Sequence, residues 1–427
     1  MFKKMKEAPL NYWEEKSYML VVPANQEENF LNDCFDRIAD IEDLKIEEKN
    51  FDAGKGFVSM KLKYEDTLYE VGFFPGGISV PEYYLSKNFF FTEKEKKALL
   101  EAKKSLTIFM KFNDDYEKSY HLQLKLAVAM VPDLIGVMDE SAEKMLPAQW
   151  VFMTANSKVL PNPKNLFTVQ AVAGKNKEVW LHTHGLCRCG IPELEILNSD
   201  EANYQNHYNL ISTYAMHLLD KKNELPDFEV GCFIGRLVNG YPVVATSRSW
   251  TTGIKEYKHL KLGNMRDRKG GHNTKTNIIF LYKSEEDENK KILSKVSIYD
   301  KLWGENPLFF FSDEETSRMK ALAIERFDYV KDAFKNKDNA IIIKVGLPLK
   351  EKGKFEHIWF ELLEVEGNKF KAKLTQEPYD VPDMHTGDEA WYTTNDITDW
   401  IIYTKEFPVN PDNAYLLETI ESESRGE

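Results

Sequence analysis

Cysteine is scarce in this chain: Cys34, Cys187, Cys189 and Cys232 are the four among 427 residues. Disulfide scaffolds are short and cysteine-dense, so this chain is not one of them, and a reducing, cytoplasmic setting is expected. Long apolar runs are missing as well. No stretch approaches the ~20 residues a membrane-spanning helix requires, so no membrane association is expected. The opening MFKKMKEAPLNYWEEKSYMLVVP is basic but lacks the continuous apolar core of a signal peptide. Positive charge is in deficit: 56 Lys and Arg stand against 69 Asp and Glu, a formal net charge of −13. A nucleic-acid binder needs a basic surface to displace phosphate counterions, so nucleic acid is not the expected partner. An acidic surface suits a basic protein partner instead. No G-x-S-x-G nucleophile elbow and no G-x4-G-K-[ST] phosphate loop occurs, and no repeat at a solenoid period is seen.

What is present reads as a folded protein. Hydrophobic residues make up 42%, charged residues 29% and aromatics 13%, too apolar a mixture for a disordered chain. A chain of 427 residues fits two or three domains. SYMLVVP reads as a buried strand, and ENFLNDCFDRIADI carries Phe30, Leu31, Cys34, Phe35 and Ile38 at helical spacing. KGFVSMKLKY and TLYEVGFFPGG are β-rich. TEKEKKALLEAKKSL is a helix that Thr92 and Glu95 can cap reciprocally. NLFTVQAVAGKNKEVWLHTHG suggests two strands joined by a Gly-Lys-Asn turn, and NYQNHYNLISTYAMHLLDKK a helix started by Ser199 or Asp200, with Tyr204, Tyr208, Ile211, Ala215 and Leu218 on its apolar face. GCFIGRLVNGYPVVATSRSW reads as a hairpin about Asn239–Gly240, with Cys232 in its core. SDEETSRMKALAIERFDYVKDAF is one helix capped by Ser312 with Glu315, followed by short strands.

The expected fold class is α+β: layered α/β-sandwich regions in the N-terminal part, then a C-terminal helix with a small, strongly twisted β-sheet or barrel. The expected divisions are an N-terminal domain at 15–150, a central domain at 151–282, a charged connection at 283–312, a β-rich domain at 313–405 and a tail at 406–427, whose last stretch ETIESESRGE, residues 418–427, is acidic and expected to fray.

The densest chemistry lies in EVWLHTHGLCRCGIPELEIL, residues 178–197. Strand residues two apart share a face, so His182 and His184 form one pair and Glu193 and Glu195 another. Brought together, the four could hold a divalent metal or divide general-acid and general-base roles between them. Cys187 and Cys189 could join the histidines around zinc, although structural zinc sites usually space their cysteines more widely. The competing expectation is a hydrogen-bonding network across a sheet, since histidine both donates and accepts. KLGNMRDRKGGHNTKT gathers Arg266, Arg268, Lys269, His272 and Lys275 about two glycines, either an anion-binding loop or a solvated one. The Trp250 of Arg248-Ser249-Trp250 could stack a ligand or fill a core.

The C-terminal pieces Glu356-His357-Ile358-Trp359, Glu377-Pro378, Gly387-Asp388-Glu389 and Ile397-Thr398-Asp399-Trp400 resemble the bacterial family called domain of unknown function 2314, over roughly residues 313–405. Leu166-Phe167-Thr168-Val169-Gln170 and Trp180 through Leu197 resemble domain of unknown function 4026, which occurs with it in bacteria. The resemblance implies no activity. Some neighbouring families are proposed immunity proteins of toxin systems, which implies toxin neutralisation by association. His357, Trp359, Gly387, Asp388, Asp399 and Trp400 are the motif residues of the C-terminal part, read either as a Trp-containing core or as a ligand pocket. The leading expectation is a non-catalytic protein-binding module, immunity-type, without cofactor. The alternative is a metal-assisted hydrolase built on His182, His184, Glu193 and Glu195.

Overall fold

In the computed structural model the alternating pattern becomes, among the described residues, three sheets of seven, six and six strands. The structure describes residues 16–27, 34–52, 56–86, 89–221, 230–237, 240–268, 273, 276–303, 313–351 and 353–425. They fall into two units, the first within 1–89, 97–146 and 163–310, the second within 90–96, 147–162 and 311–427. Among the described residues no helix is long and apolar enough to cross a membrane.

In the first unit, β1 (Lys16–Pro23), β2 (Leu44–Asp52), β3 (Phe57–Tyr64), β4 (Thr67–Gly77), β5 (Lys104–Lys111), β6 (Leu134–Asp139) and β7 (Lys144–Pro147) form a sheet of order β2-β3-β4-β5-β1-β6-β7. Alternate residues of β1, β3 and β5, among them Met19, Val21, Met60, Leu62, Leu106 and Ile108, enter the core. Helix α1 (Glu93–Glu101), whose residues 93–96 fall within the second unit, begins at the expected reciprocal cap: Thr92 N donates to Glu95 at 2.7 Å, and Glu95 N donates to Thr92 Oγ1 at 3.2 Å. Helix α2 (Tyr116–Met130) starts at Asp115, whose carboxylate accepts from Lys118 N. The helix expected around Cys34–Ile38 is instead a single 3₁₀ turn, Asp36–Asp40, in its described part. No side chain caps it, and Arg37 reaches away to the carbonyls of Ala129 and Met130 at the end of α2. Phe30 and Leu31 lie outside the described residues. Helix α3 (Ala148–Ala155) belongs to the second unit.

The second sheet of the first unit has the order β11-β12-β13-β10-β9-β8. Its strands are β8 (Thr168–Ala173), β9 (Glu178–His184), β10 (Glu193–Asp200), β11 (Cys232–Arg236), β12 (Pro242–Ser249) and β13 (Thr276–Tyr282). Only β10 and β13 run parallel. Helix α4 (Tyr204–Lys221) packs against β8–β11 through Ile211, Tyr214, Ala215 and Leu218, while Tyr204 of the expected apolar face is exposed. Asp200 caps the approach to α4 by accepting from the backbone amides of Ala202 and Asn203. The β11–β12 hairpin closes through Gly240 N to Leu237 O and Leu237 N to Tyr241 O, both 2.8 Å; its tip residue Asn239 lies outside the described residues. Trp180, Leu197, Tyr257, Ile278 and Phe280 form a core cluster on which α5 (Trp250–Gly253) and Leu260 and Leu262 pack. Within the charged run at 283–295, α6 (Glu285–Asn289) is capped by Ser284, and Ser294 then bridges back to Leu281.

The second unit holds an open antiparallel sheet of order β17-β16-β15-β14-β18-β19, and the expected sheet-or-barrel resolves as a sheet that does not close. Here α7 (Asp313–Glu325) and α8 (Phe327–Ala333) precede β14 (Ala340–Pro348), β15 (Phe355–Glu366), β16 (Lys369–Leu374), β17 (Glu389–Thr393), β18 (Ile397–Tyr403), β19 (Pro408–Val409) and α9 (Tyr415–Arg425). The single helix expected over 312–334 is broken at Arg326 (φ −98, ψ 18), whose buried guanidinium donates to Pro411 O at 2.5 Å. Ser312 lies outside the described residues, and Glu315 accepts from Arg318 at 2.7 and 2.9 Å rather than closing a cap. The tail expected to fray is helical through Arg425, held by the buried Tyr415, Leu416 and Thr419. Earlier segments complete this unit. Phe90 N donates to Tyr415 Oη at 3.2 Å, Ser157 Oγ to Glu325 at 2.6 Å, and Asn162 Nδ2 to Asp412 at 3.2 Å.

Candidate functional site

The register of the second sheet puts Glu195 opposite His182, and Gln170 on the other side of the same histidine. Trp180, His182 and His184 therefore line one face of β9 in sequence, with ring centroids 4.2 Å apart in the first step and 4.9 Å in the second. The expected facing of the two strands is present. The partners of the carboxylates differ from those expected.

Glu195 is fully buried and accepts from Arg268 Nη2 at 2.6 Å, Thr276 Oγ1 at 2.8 Å and Trp180 Nε1 at 2.9 Å. Burial pushes its carboxyl above the usual range, with Arg268 the largest opposing pull. The Arg268 guanidinium lies 4.4 Å from the Trp250 ring centroid and 5.2 Å from that of Trp180, and also donates to the carbonyls of Gly263 and Asn273. Arg268 of the basic loop thus turns inward to a carboxylate rather than outward to an anion. Arg266 is exposed, and Lys269, His272 and Lys275 lie outside the described residues. Trp250 is half-buried and packs against the core cluster with the Arg268 guanidinium over its ring.

Glu193 looks back over the turn. It accepts from Thr183 Oγ1 at 2.6 Å, Gly185 N at 2.8 Å and Cys187 N at 3.0 Å, and burial again pushes its carboxyl up. Gly185 is required here: its φ is +111, and a Cβ would stand 2.4 Å from Leu166 O. Cys187 and Cys189 sit in the 3₁₀ turn Leu186–Cys189, half-buried and buried respectively. Among the described residues no three His, Cys, Asp or Glu side chains stand together as a metal-holding group.

Sequence reasoning missed three partners. Glu143, in a left-handed conformation (φ 50, ψ 50), accepts from Gln170 Nε2 at 2.7 Å and stands 3.3 Å from His184 Nδ1. Arg188, between the two cysteines, makes a two-pronged buried pair with Asp139 at 2.8 and 2.9 Å and donates to Leu166 O at 2.6 Å. The third is Lys144, whose Nζ donates to Asn165 O at 2.5 Å and Phe167 O at 3.4 Å. Each joins residues far apart in the chain, so no local spacing announces it. Ser199, His207 and Asp300 also form a chain, with Oγ–Nδ1 of 2.7 Å and Nε2–Oδ1 of 2.9 Å. It has the members of a serine triad, but Ser199 is 2% and His207 1% exposed, so the hydroxyl is closed to a substrate. Burial holds the His207 ring below its ordinary pKa even beside Asp300.

Three family models match, in order. The protein of unknown function (DUF4026) N-terminal model covers residues 17–161, and its C-terminal counterpart covers residues 169–280. The third, an uncharacterized protein conserved in bacteria (DUF2314), covers 313–422. The chain belongs to the DUF4026 family, with a DUF2314 region after it. No curated protein and no solved structure matches the chain. The Glu143–His184 contact thus joins the two DUF4026 regions, as the Arg188–Asp139 pair does.

In the DUF2314 region, the motif residues gather on the sheet and its end loop. Trp400 is fully buried and donates to Ala323 O at 3.0 Å. Asp399 accepts from Trp400 N, and burial raises its carboxyl to about 6. Lys344 pairs across the sheet with both Asp399 and Trp359, its Nζ 5.4 Å from the Trp359 ring centroid. His357 Nδ1 lies 3.2 Å from Thr398 Oγ1. Gly387 takes φ +97 at the turn into β17, and Asp388 accepts from His385 N at 2.8 Å. Glu356 anchors the same loop by accepting from Tyr379 N and Asp380 N.

Proposed function

We propose that this protein is a non-catalytic protein-binding module of the bacterial cytoplasm, an immunity-type factor being the narrower form of the same reading. The observation that carries it is the use made of the two candidate carboxylates. Each already accepts three hydrogen bonds from donors that position a turn or a buried arginine. A general acid or base has to exchange protons with a substrate, and these groups are committed to holding the fold. Support for binding comes from aromatics left in the open on the second unit: Tyr379 is 91%, Phe355 52% and Trp391 45% exposed. Exposed aromatics are favoured anchors of protein interfaces.

The test is reconstitution. A partner cross-linked to the full-length protein in cells is purified and remixed with wild type and with a Trp391→Ala/Tyr379→Ala variant. A defined complex with wild type, weakened at least about tenfold in the variant, is expected, since anchors of this kind are worth more than ~1 kcal/mol each. Turnover of a phosphoester, peptide or glycoside by the wild-type protein, abolished in His184→Ala, would overturn the proposal.

A further inference from the structure

The second unit contains a cavity of about 340 Å³ between α8, the turn after β18 and α9. Ala333, Leu417 and Ile420 give it an apolar wall, and Tyr329 adds an aromatic ring. Four carboxylates also line it. Two of these are already matched: Asp332 is 2.5 Å from Lys335 Nζ, and Asp338 is 2.6 Å from Lys405 Nζ. Glu406 and Glu418, both exposed at the mouth, have no ion pair among the described residues, and Glu418 Oε1 accepts there from Tyr329 Oη at 2.8 Å. That bond fixes the carboxylate beside the ring, and the pull of burial and of Glu418 raises the Tyr329 hydroxyl to about 12.

The combination has a specific chemical complement. An apolar wall takes an aliphatic stem, while an aromatic face and unmatched carboxylates take a cation. The volume lies at the lower end of the ~300–1,000 Å³ of small-molecule sites, room for one short chain rather than a ring system. A free anion is disfavoured, since four carboxylates face the one lining cation, Lys405, which Asp338 already engages. A bare metal ion would leave the apolar wall unused.

We propose that this cavity binds a primary ammonium group carried on an aliphatic stem, with Glu406 and Glu418 as its counter-charges and Tyr329 as its orienting ring. The same chemistry is offered by a free diamine and by a lysine side chain of a polypeptide. The proposal does not depend on the protein-binding reading above.

Calorimetric titration of the full-length protein tests it, with cadaverine in one arm and a lysine-containing neutral peptide in the other. Pentanediol, which has the stem without the charge, serves as control. Saturable binding in either arm is expected, weakening with salt and absent for pentanediol; the arm that binds more tightly identifies the source. Glu418→Gln and Glu406→Gln should each weaken it about tenfold, as loss of one charge-assisted contact does. Glutamine still accepts from Tyr329, so unchanged thermal melting should accompany the loss at position 418. No saturable binding in either arm, or binding undiminished in both variants, would overturn the proposal.

Discussion

Replacing Lys144 by methionine should remove a rise of stability with pH that this lysine is expected to contribute above neutrality. Lys144 is 1% exposed, and burial brings its ammonium down from 10.5 to about 7, Asp139 and Arg188 pulling in opposite directions. Below about pH 7 both the folded and the unfolded chain carry the proton, so the full burial cost is present. Between about 7 and 10.5 the unfolded chain keeps a proton that the folded one has released, so stability increases with pH over that window. At 1.36 kcal/mol per pH unit, the whole window corresponds to on the order of 5 kcal/mol, and the part from about pH 7 to 9 to roughly 2 kcal/mol. Methionine retains the apolar stem but strands the carbonyls of Asn165 and Phe167, a loss of about 1–3 kcal/mol that does not vary with pH. Urea unfolding of both proteins at the two pH values separates these effects, because other titrating groups cancel in the difference. A wild-type-minus-variant stability that stays constant from pH 7 to 9 would refute the reasoning.

Arg268→Ala should destabilise the first unit by about 3–5 kcal/mol by leaving Glu195 buried without its cation, and adding Glu195→Gln should recover part of that loss, read from urea midpoints. Glu193→Ala should cost about 1–3 kcal/mol for each donor it strands, and Glu193→Gln less, since one oxygen remains for the turn amides. Gly185→Ala should lower stability by about 2–4 kcal/mol, because the added methyl meets Leu166 O and the left-handed backbone disfavours alanine. A melting temperature within a degree of wild type would contradict that account of the turn.

The β9–β10 pairing was legible because its side chains repeat every two residues, and that period survives in any context. The same logic brought His182 and Glu195 opposite each other. It could not supply Arg268, 73 positions from Glu195, or Glu143, which enters from the other DUF4026 region. Contacts made across long loops leave no periodicity to read. The break at Arg326 has the same origin. Local spacing favoured a continuous helix, and Pro411 O, distant in sequence, drew the arginine out of it. The acidic composition of 418–427 suggested a frayed end, whereas its first eight residues continue a helix begun by the buried Tyr415 and Leu416, a stripe that becomes meaningful only with a surface to cover. His207 gives no local signal, because Ser199 and Asp300 bracket it in space rather than by a readable spacing.

The discontinuous make-up of the second unit has a consequence for synthesis on the ribosome. Residues 90–96 and 147–162 emerge long before 311–427, the segment that completes their unit. Trp150, Val151 and Ala155, buried in the finished protein, must wait uncovered through the translation of the whole second sheet. The nascent chain thus leaves these apolar side chains uncovered at one definable stage. A gene truncated before residue 311 would make that stage permanent, yielding a fragment prone to aggregate however well its two sheets form.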